Sequence, residues 1–113
     1  MKLKNVKKPT NQDMAAIQAE FAVEKEFSGM SRYKAKRYAK RFGEMMRIIW
    51  KKHHVGVYQV KYTQVRDYFE NHSHHRMNDT WRSHFDIVCM CLGRLNKSHW
   101  ISLLKRDLGL NRE

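Results

Sequence analysis

The histidines and cysteines carry the most familiar site chemistry in this sequence. It contains seven histidines and two cysteines, and imidazole and thiolate are the side chains that zinc prefers as ligands. No CxxC, HExxH or paired Cys and His spacing brings four of them together, however. His84 falls on the apolar side of a predicted helix, which is typical of a hydrogen-bonded core histidine. We therefore expect neither a bound metal nor a cofactor.

Catalytic patterns are also missing from the sequence. We find no Ser-His-Asp arrangement, no activated cysteine and no glycine-rich phosphate loop, and acidic residues are sparse beyond the first predicted helix. Cys89 and Cys91 lie two residues apart on a predicted helix and point to different sides, so they cannot pair with each other. This favours a non-enzymatic protein in a reducing compartment.

The strongest signal is a basic segment at residues 32–52, which holds nine of the 23 lysines and arginines and one acid, Glu44. Its apolar residues recur at i, i+3, i+4 and i+7, which predicts an amphipathic helix. The inward face is Ala35, Tyr38, Ala39, Phe42, Met45, Met46, Ile49 and Trp50, and the outward cations are Lys34, Lys36, Arg37, Lys40, Arg41, Arg47 and Lys51. Tyr33 points outward among these cations.

The whole chain has a formal net charge of +12 and a pI near 10.0. Nucleic acid is the commonest anionic partner of a small basic domain. No run of 18 apolar residues is present, and residues 1–9 lack the apolar core of a signal peptide. We expect a cytoplasmic, nucleoid or nuclear protein that is not secreted and does not enter a membrane.

The N-terminal third predicts a flexible basic arm followed by an acidic helix. Residues 1–9 carry four lysines and no acid, whereas residues 10–27 carry one lysine and four acids. Thr10 with Asp13 approximates a capping box, so we expect a helix over residues 11–27. Its predicted apolar stripe is Met14, Ile17, Phe21 and either Val23 or Phe27.

A turn at residues 28–30 separates this helix from the basic one, which Ser31 can cap. The short turn predicts that the acidic helix packs beside the cationic helix. Pairing of two copies through the acidic helix is the alternative use of its phenylalanines.

The remaining residues predict alternating short elements. We expect a strand at 57–62, a helix at 64–71 capped by Thr63, a polar loop, and a helix at 80–95 capped by Asn78 or Asp79. A strand at 99–104, a turn at 105–107 and a return strand or tail at 108–113 complete the order. Residues 10–113 would form one domain, with an extra helix at 10–30 and a core at 31–113.

This element order resembles the winged helix-turn-helix superfamily of DNA-binding domains. The resemblance rests on Tyr62-Thr63-Gln64-Val65 and on LGRLNKSHWI at residues 92–101, where two leucines close a helix before a polar turn. It implies a mainly α fold with a small β-hairpin, the winged helix-turn-helix-like core being preceded by the extra N-terminal helix.

The resemblance also implies which residues meet DNA. The helix at 80–95 would enter the major groove, with Arg82 suited to guanine and Asp86 to a cytosine amino group, and Ser83 beside them. Phosphate contacts would come from His74, His75, Arg76 and Asn78 in the loop and from Lys105 and Arg106 in the wing turn.

Three functions stay open on the sequence. The first is a small transcription or replication regulator that binds double-stranded DNA by sequence or structure. The second is an RNA-binding or ribonucleoprotein component that uses the basic helix itself, with Tyr33 stacking on unpaired bases. The third is a protein-interaction inhibitor from a mobile element. Arg82 and Asp86 would equally form a simple i, i+4 ion pair.

Overall fold

The computed structural model describes residues 10–27, 29–72 and 79–110, and over those residues it contains helices and turns but no β-strand. The mainly α prediction is confirmed, and the predicted β-hairpin wing is wrong. The helices are α1 (Asn11–Glu24), α2 (Arg32–His53), α3 (Tyr62–Asp67), α4 (Asp79–Arg94) and α5 (His99–Asp107). A 3₁₀ turn, Lys25–Phe27, extends α1, and a π turn, Tyr68–His72, extends α3. The arm at 1–9 and the tail at 111–113 lie outside the described residues.

Local signals placed the first two helix starts correctly. The Thr10 hydroxyl accepts from the Asp13 N–H at 3.1 Å, and the Asp13 carboxylate accepts from the Thr10 N–H at 3.0 Å, which completes the capping box. The Ser31 hydroxyl accepts from the Lys34 N–H at 3.2 Å. The third cap was wrong: Thr63 lies inside α3, whose N-cap is Lys61, and Gln64 Oε1 accepts from the Lys61 N–H at 2.8 Å.

Helices α1 and α2 pack as an antiparallel hairpin, but the face of α1 that packs is not the predicted one. The buried residues of α1 are Ala15, Ala16, Ala19, Ala22 and Val23. The larger side chains of the predicted stripe point outward, with Met14 52%, Ile17 41% and Phe21 70% exposed. Small residues are buried because they allow the two helix backbones to approach closely.

Gly43 marks the closest approach of the two helices. A Cβ atom at this position would lie 2.9 Å from Glu20 Cγ and 3.1 Å from the Ala16 carbonyl oxygen. The alanine face of α1 therefore packs against a position of α2 that has no side chain. This close approach explains why the alanines of α1 are buried and its larger apolar residues are not.

The predicted strand at 57–62 is a turn followed by the start of α3. The Gln59 N–H donates to the Gly56 carbonyl at 3.1 Å, and Tyr62 already belongs to the helix. Val57 and Val60 are buried. Their side chains anchor the turn in the core, so β-forming residue types here reflect burial and not strand pairing.

The predicted strand at 99–104 is the helix α5. Trp100, Leu104 and Leu108 are buried and recur every four residues, which is one face of a helix. A six-residue apolar run does not distinguish a strand from a buried helix by itself. The predicted return strand is also wrong where described: Gly109, at φ 74°, ends α5, and the Leu110 N–H donates to the Lys105 carbonyl at 2.8 Å.

Residues 92–97, which the resemblance takes for the end of a recognition helix, form a helix C-cap like the one at Gly109. Asn96 has φ 65°, and the Lys97 N–H donates to the Leu92 carbonyl at 2.9 Å. This Schellman geometry turns the chain from α4 directly into α5. Two leucines and a polar turn thus lead into a helix where the resemblance implied a wing strand.

The core joins all five helices into one apolar cluster. Its centre is an aromatic group in which Phe69 lies 5.1 Å from Phe85 and 5.8 Å from Trp81 between ring centroids. The two cysteines are buried and unpaired, and burial raises the pKa of each thiol to about 12. Cys91 Sγ lies 3.7 Å from the Tyr38 carbonyl oxygen and so contacts α2 from α4.

Candidate nucleic-acid interface

The predicted cations of α2 lie on its outer surface. Six of the seven are exposed and Arg47 is half-buried. Their spacing around the helix leaves the buried side to Ala35, Phe42 and Met46, as the amphipathic pattern predicted. The exposed cations of α2 are Lys34, Lys36, Arg37, Lys40, Arg41 and Lys51, together with two that the sequence-based set omitted, Arg32 in the first turn and Lys52 in the last. Lys52 donates to the Asp67 carboxylate at 2.9 Å.

The acidic helix occupies one edge of this surface, as the sequence predicted. Asp13 pairs with Arg47, and Glu24 pairs with Lys36 across 3.5 Å. Burial raises the pKa of Glu20, and the positive charge of Lys40 is the largest influence that lowers it. The carboxylates of α1 therefore neutralise part of the charge that the sequence assigned to a ligand.

Four cations of the predicted set have no ion pair among the residues that the structure describes: Lys34, Arg37, Lys40 and Lys51. Arg41 is paired along the helix with Glu44 at 3.4 Å. Tyr33 lies beside the unpaired group and is 76% exposed. We call these five residues, the four unpaired cations and Tyr33, the cationic ridge.

The predicted base-reading residues lie on α4 and border the same surface. Arg82, Ser83 and Asp86 are exposed, and with Arg37 and Tyr38 of α2 they line an open groove of about 410 Å³. Arg82 Nε donates to Asp86 Oδ1 at 3.2 Å, which is the i, i+4 ion pair. The reading role depended on a winged core, so with no strand in the described part of the chain it loses its structural premise.

Lys105 and Arg106 lie in the last turn of α5 and not in a wing. The Arg106 guanidinium donates to Asp107 at 2.9 Å and is the largest of the influences that lower the pKa of Asp107 to about 2. The Tyr62 hydroxyl donates to the same carboxylate at 2.6 Å. Asp107 therefore connects α5 to Tyr62 of α3, and the Arg106 side chain is paired with this same carboxylate. His74, His75, Arg76 and Asn78 lie outside the described residues.

The described histidines do not form a metal centre. Within residues 10–27, 29–72 and 79–110, no group of three His, Cys, Asp or Glu side chains could hold an ion. His84 is the buried core histidine that its position predicted, and its Nε2 shares a hydrogen bond of 2.8 Å with the Tyr68 hydroxyl. Burial raises the pKa of Tyr68 to about 12, so this hydroxyl stays protonated.

Burial of His84 predicts that the fold loses stability in mild acid. Desolvation lowers the pKa of this imidazole, while Glu44 raises it and Arg41 lowers it, each by a smaller amount. The unfolded chain protonates near pH 6.5, before the folded chain does. Stability should therefore be full above about pH 6.5 and decline below it by up to about 1.4 kcal/mol per pH unit.

Urea unfolding from about pH 8 to about pH 5 measures this dependence. His84→Gln should flatten the slope, whereas the exposed His54→Gln should leave it unchanged. Asp67 does not confuse the result, because the hydrogen bond from Lys52 lowers its pKa to about 2, below this range. An unchanged slope in His84→Gln would show that a different group titrates.

No helix among the described residues has the length and apolarity needed to cross a membrane.

Comparison of the chain with protein-family models, with curated proteins and with solved structures finds no match. The evidence for its function therefore comes from its own residues.

Proposed function

We propose that this protein is a non-enzymatic DNA-binding protein that lays the cationic ridge of α2 along the phosphate backbone of a duplex. The observation that carries the proposal is the set of four exposed cations, Lys34, Arg37, Lys40 and Lys51, which form no ion pair in the described structure. A buried apolar face fixes the helix beneath them, so the charges are held in place on a rigid element.

The length of the ridge suits this partner. From Lys34 to Lys51 the helix rises about 26 Å at 1.5 Å per residue. Duplex DNA presents about one phosphate per 1.7 Å of axis, so a span of this length passes many phosphates. Lysine and arginine contacts of this kind position a protein without reading bases. We therefore propose recognition of DNA structure or backbone, as expected for a small transcription or replication regulator in the cytoplasm, nucleoid or nucleus.

Salt dependence tests the proposal directly. With four or five phosphate contacts, affinity for a duplex of about 20 base pairs should fall about 100- to 500-fold between about 50 and about 200 mM salt. Fluorescence anisotropy with a labelled duplex measures this fall. Binding that does not weaken with salt would contradict a phosphate interface.

A matched pair of double variants locates the interface. Lys34→Gln with Lys40→Gln should weaken binding roughly 100-fold at about 50 mM salt, because two lysines no longer release counterions. Lys25→Gln with Lys61→Gln is the control, since those lysines are also exposed and removing them gives the same net charge. Equal losses in the two variants would mean that overall charge, and not α2, attracts the DNA.

The exposure of Tyr33 favours single-stranded RNA as the second candidate ligand. Its ring is 76% exposed at the beginning of the cationic ridge, and base stacking on an aromatic ring contributes about 1–3 kcal/mol. Competition between duplex DNA and single-stranded RNA separates the candidates. If Tyr33→Ala weakens RNA binding and leaves duplex binding unchanged, and RNA competes better, the ligand is RNA.

A further inference from the structure

The outer face of α1 carries an apolar stripe that nothing in the described structure covers. Met14, Ile17 and Phe21 follow one another at i, i+3 and i+7, so they share one side of the helix. Phe21 is the most exposed of the three at 70%. The inner side of the same helix packs its alanines against α2. The stripe on the outer side therefore takes no part in the packing of α1 on α2.

Two surface depressions flank the stripe. One, of about 260 Å³, is lined by Asn11, Met14, Ala15 and Gln18 of α1, with Trp50, Gly56 and Gln59 beside them. The other, of about 170 Å³, is lined by Ile17, Glu20, Phe21 and Glu24 of α1, with Lys36. Each α1 set has the spacing i, i+3, i+4, i+7, which is the hole that receives one side chain in helix pairing.

We infer that a second copy of this chain covers the stripe, with the two α1 helices packed antiparallel about a two-fold axis. Midway between Met14 and Phe21, such an axis sets each Phe21 beside the partner's Met14 and the larger depression. The contact is self-complementary, as a two-fold interface requires, because each copy supplies both the knob and the hole.

Charge opposes self-association least at this face. The chain carries +12 overall, so two copies repel wherever their cationic surfaces meet. Residues 10–27 carry four acids against one lysine, and Arg47 and Lys36 neutralise Asp13 and Glu24, so little net charge of either sign remains at this face. Antiparallel pairing also sets Glu24 of each copy near the positive N-terminal end of the other α1, which is favourable for a carboxylate.

The small area of the stripe indicates a weak dimer. At 70% exposure, Phe21 offers about 100–170 Å² for burial, given the size of an aromatic side chain. The three stripe residues together remain below the roughly 800 Å² per partner of a standard interface. We therefore expect a weak dimer that dissociates in the micromolar range. The cationic ridge of each copy stays open because it lies on the solvent side of α2.

Sedimentation equilibrium of the full chain without nucleic acid tests the pairing, so its outcome is independent of the proposed DNA binding. From about 5 to about 200 µM the mass should rise from 13.7 kDa toward twice that value. Phe21→Ser should raise the dissociation constant at least roughly tenfold. Tyr33→Ser, an equally exposed aromatic on α2, is the control and should leave the constant unchanged.

An engineered cysteine tests the register. Ile17 lies next to the proposed axis, so Ile17→Cys should give a disulfide-linked dimer under mild oxidation, whereas Tyr33→Cys should not. The native cysteines are buried and do not compete. Circular dichroism checks that the variants stay folded. A monomer at every concentration, which would leave the face to a different protein, would overturn the inference, as would a dimer that Phe21→Ser does not weaken.

Discussion

Phe69→Ala is expected to destabilise the protein by about 3–5 kcal/mol, the usual loss when a fully buried aromatic ring is truncated. Phe69 is 0% exposed, and its ring centroid lies 5.0 Å from Tyr68 and 5.1 Å from Phe85. The ring thus joins the π turn after α3 to α4. A loss of this size approaches the total stability of many small domains, so the variant should be partly unfolded at 37 °C.

Urea denaturation followed by tryptophan fluorescence measures this loss. Tyr58→Ala is the matched control, because Tyr58 is 64% exposed and its truncation should change stability by less than about 0.5 kcal/mol. A loss below about 1 kcal/mol for Phe69→Ala would mean that the aromatic group tolerates a cavity and does not hold α4 in place.

Gly43→Leu is expected to destabilise the protein by about 3 kcal/mol, because the new side chain has no room between α1 and α2. Even a Cβ atom would lie 2.9 Å from Glu20 Cγ and 3.1 Å from the Ala16 carbonyl oxygen. The Glu20 side chain can move aside, but the Ala16 backbone cannot move without shifting α1. Leucine is otherwise a better helix former than glycine, so any loss reports the packing.

Gly93→Leu is the control for this prediction. Gly93 lies in α4, and the nearest atom to its added Cβ is Ile101 Cδ1 at 3.8 Å, an ordinary contact. The same replacement there should leave stability unchanged or raise it by up to about 1 kcal/mol. Thermal unfolding of both variants makes the comparison. A Gly43→Leu protein as stable as Gly93→Leu would contradict the close packing of α1 on α2.

The contact between α1 and α2 links stability to the proposed binding surface. Asp13 and Glu24 hold Arg47 and Lys36, so the acidic helix both covers the inner side of α2 and removes two cations from the predicted set. Lys34, Arg37, Lys40 and Lys51 remain for a ligand. The cations without an ion pair lie on the side of α2 that faces solvent, and the proposed interface is therefore on that side.

The sequence alone did not predict the structural surroundings of two parts of the candidate site. The resemblance to a winged helix assigned base reading to Arg82 and Asp86, which form an ion pair at 3.2 Å on α4. It also assigned a wing turn to Lys105 and Arg106, which end α5. The wing is wrong, and base reading by Arg82 and Asp86 stays a prediction that has lost the winged core it rested on. The source is residues 57–62 and 99–104, short apolar runs that fit a strand and a buried helix equally well.

Long helices and their starts were determined by the sequence itself, because the forces involved are local. Capping by Thr10 and Ser31 acts over three residues, and the amphipathic pattern of α2 repeats over six turns, so no partner was needed to read them. Only the tertiary structure decided which face of α1 is buried. At Gly43 the helices approach so closely that alanines of α1 fit between them, while Met14, Ile17 and Phe21 stay on the outer face. Gly43 lies more than twenty residues away in the chain, so local sequence patterns do not show this contact. The same long-range packing decided which lysines and arginines meet acids and which stay available to a ligand.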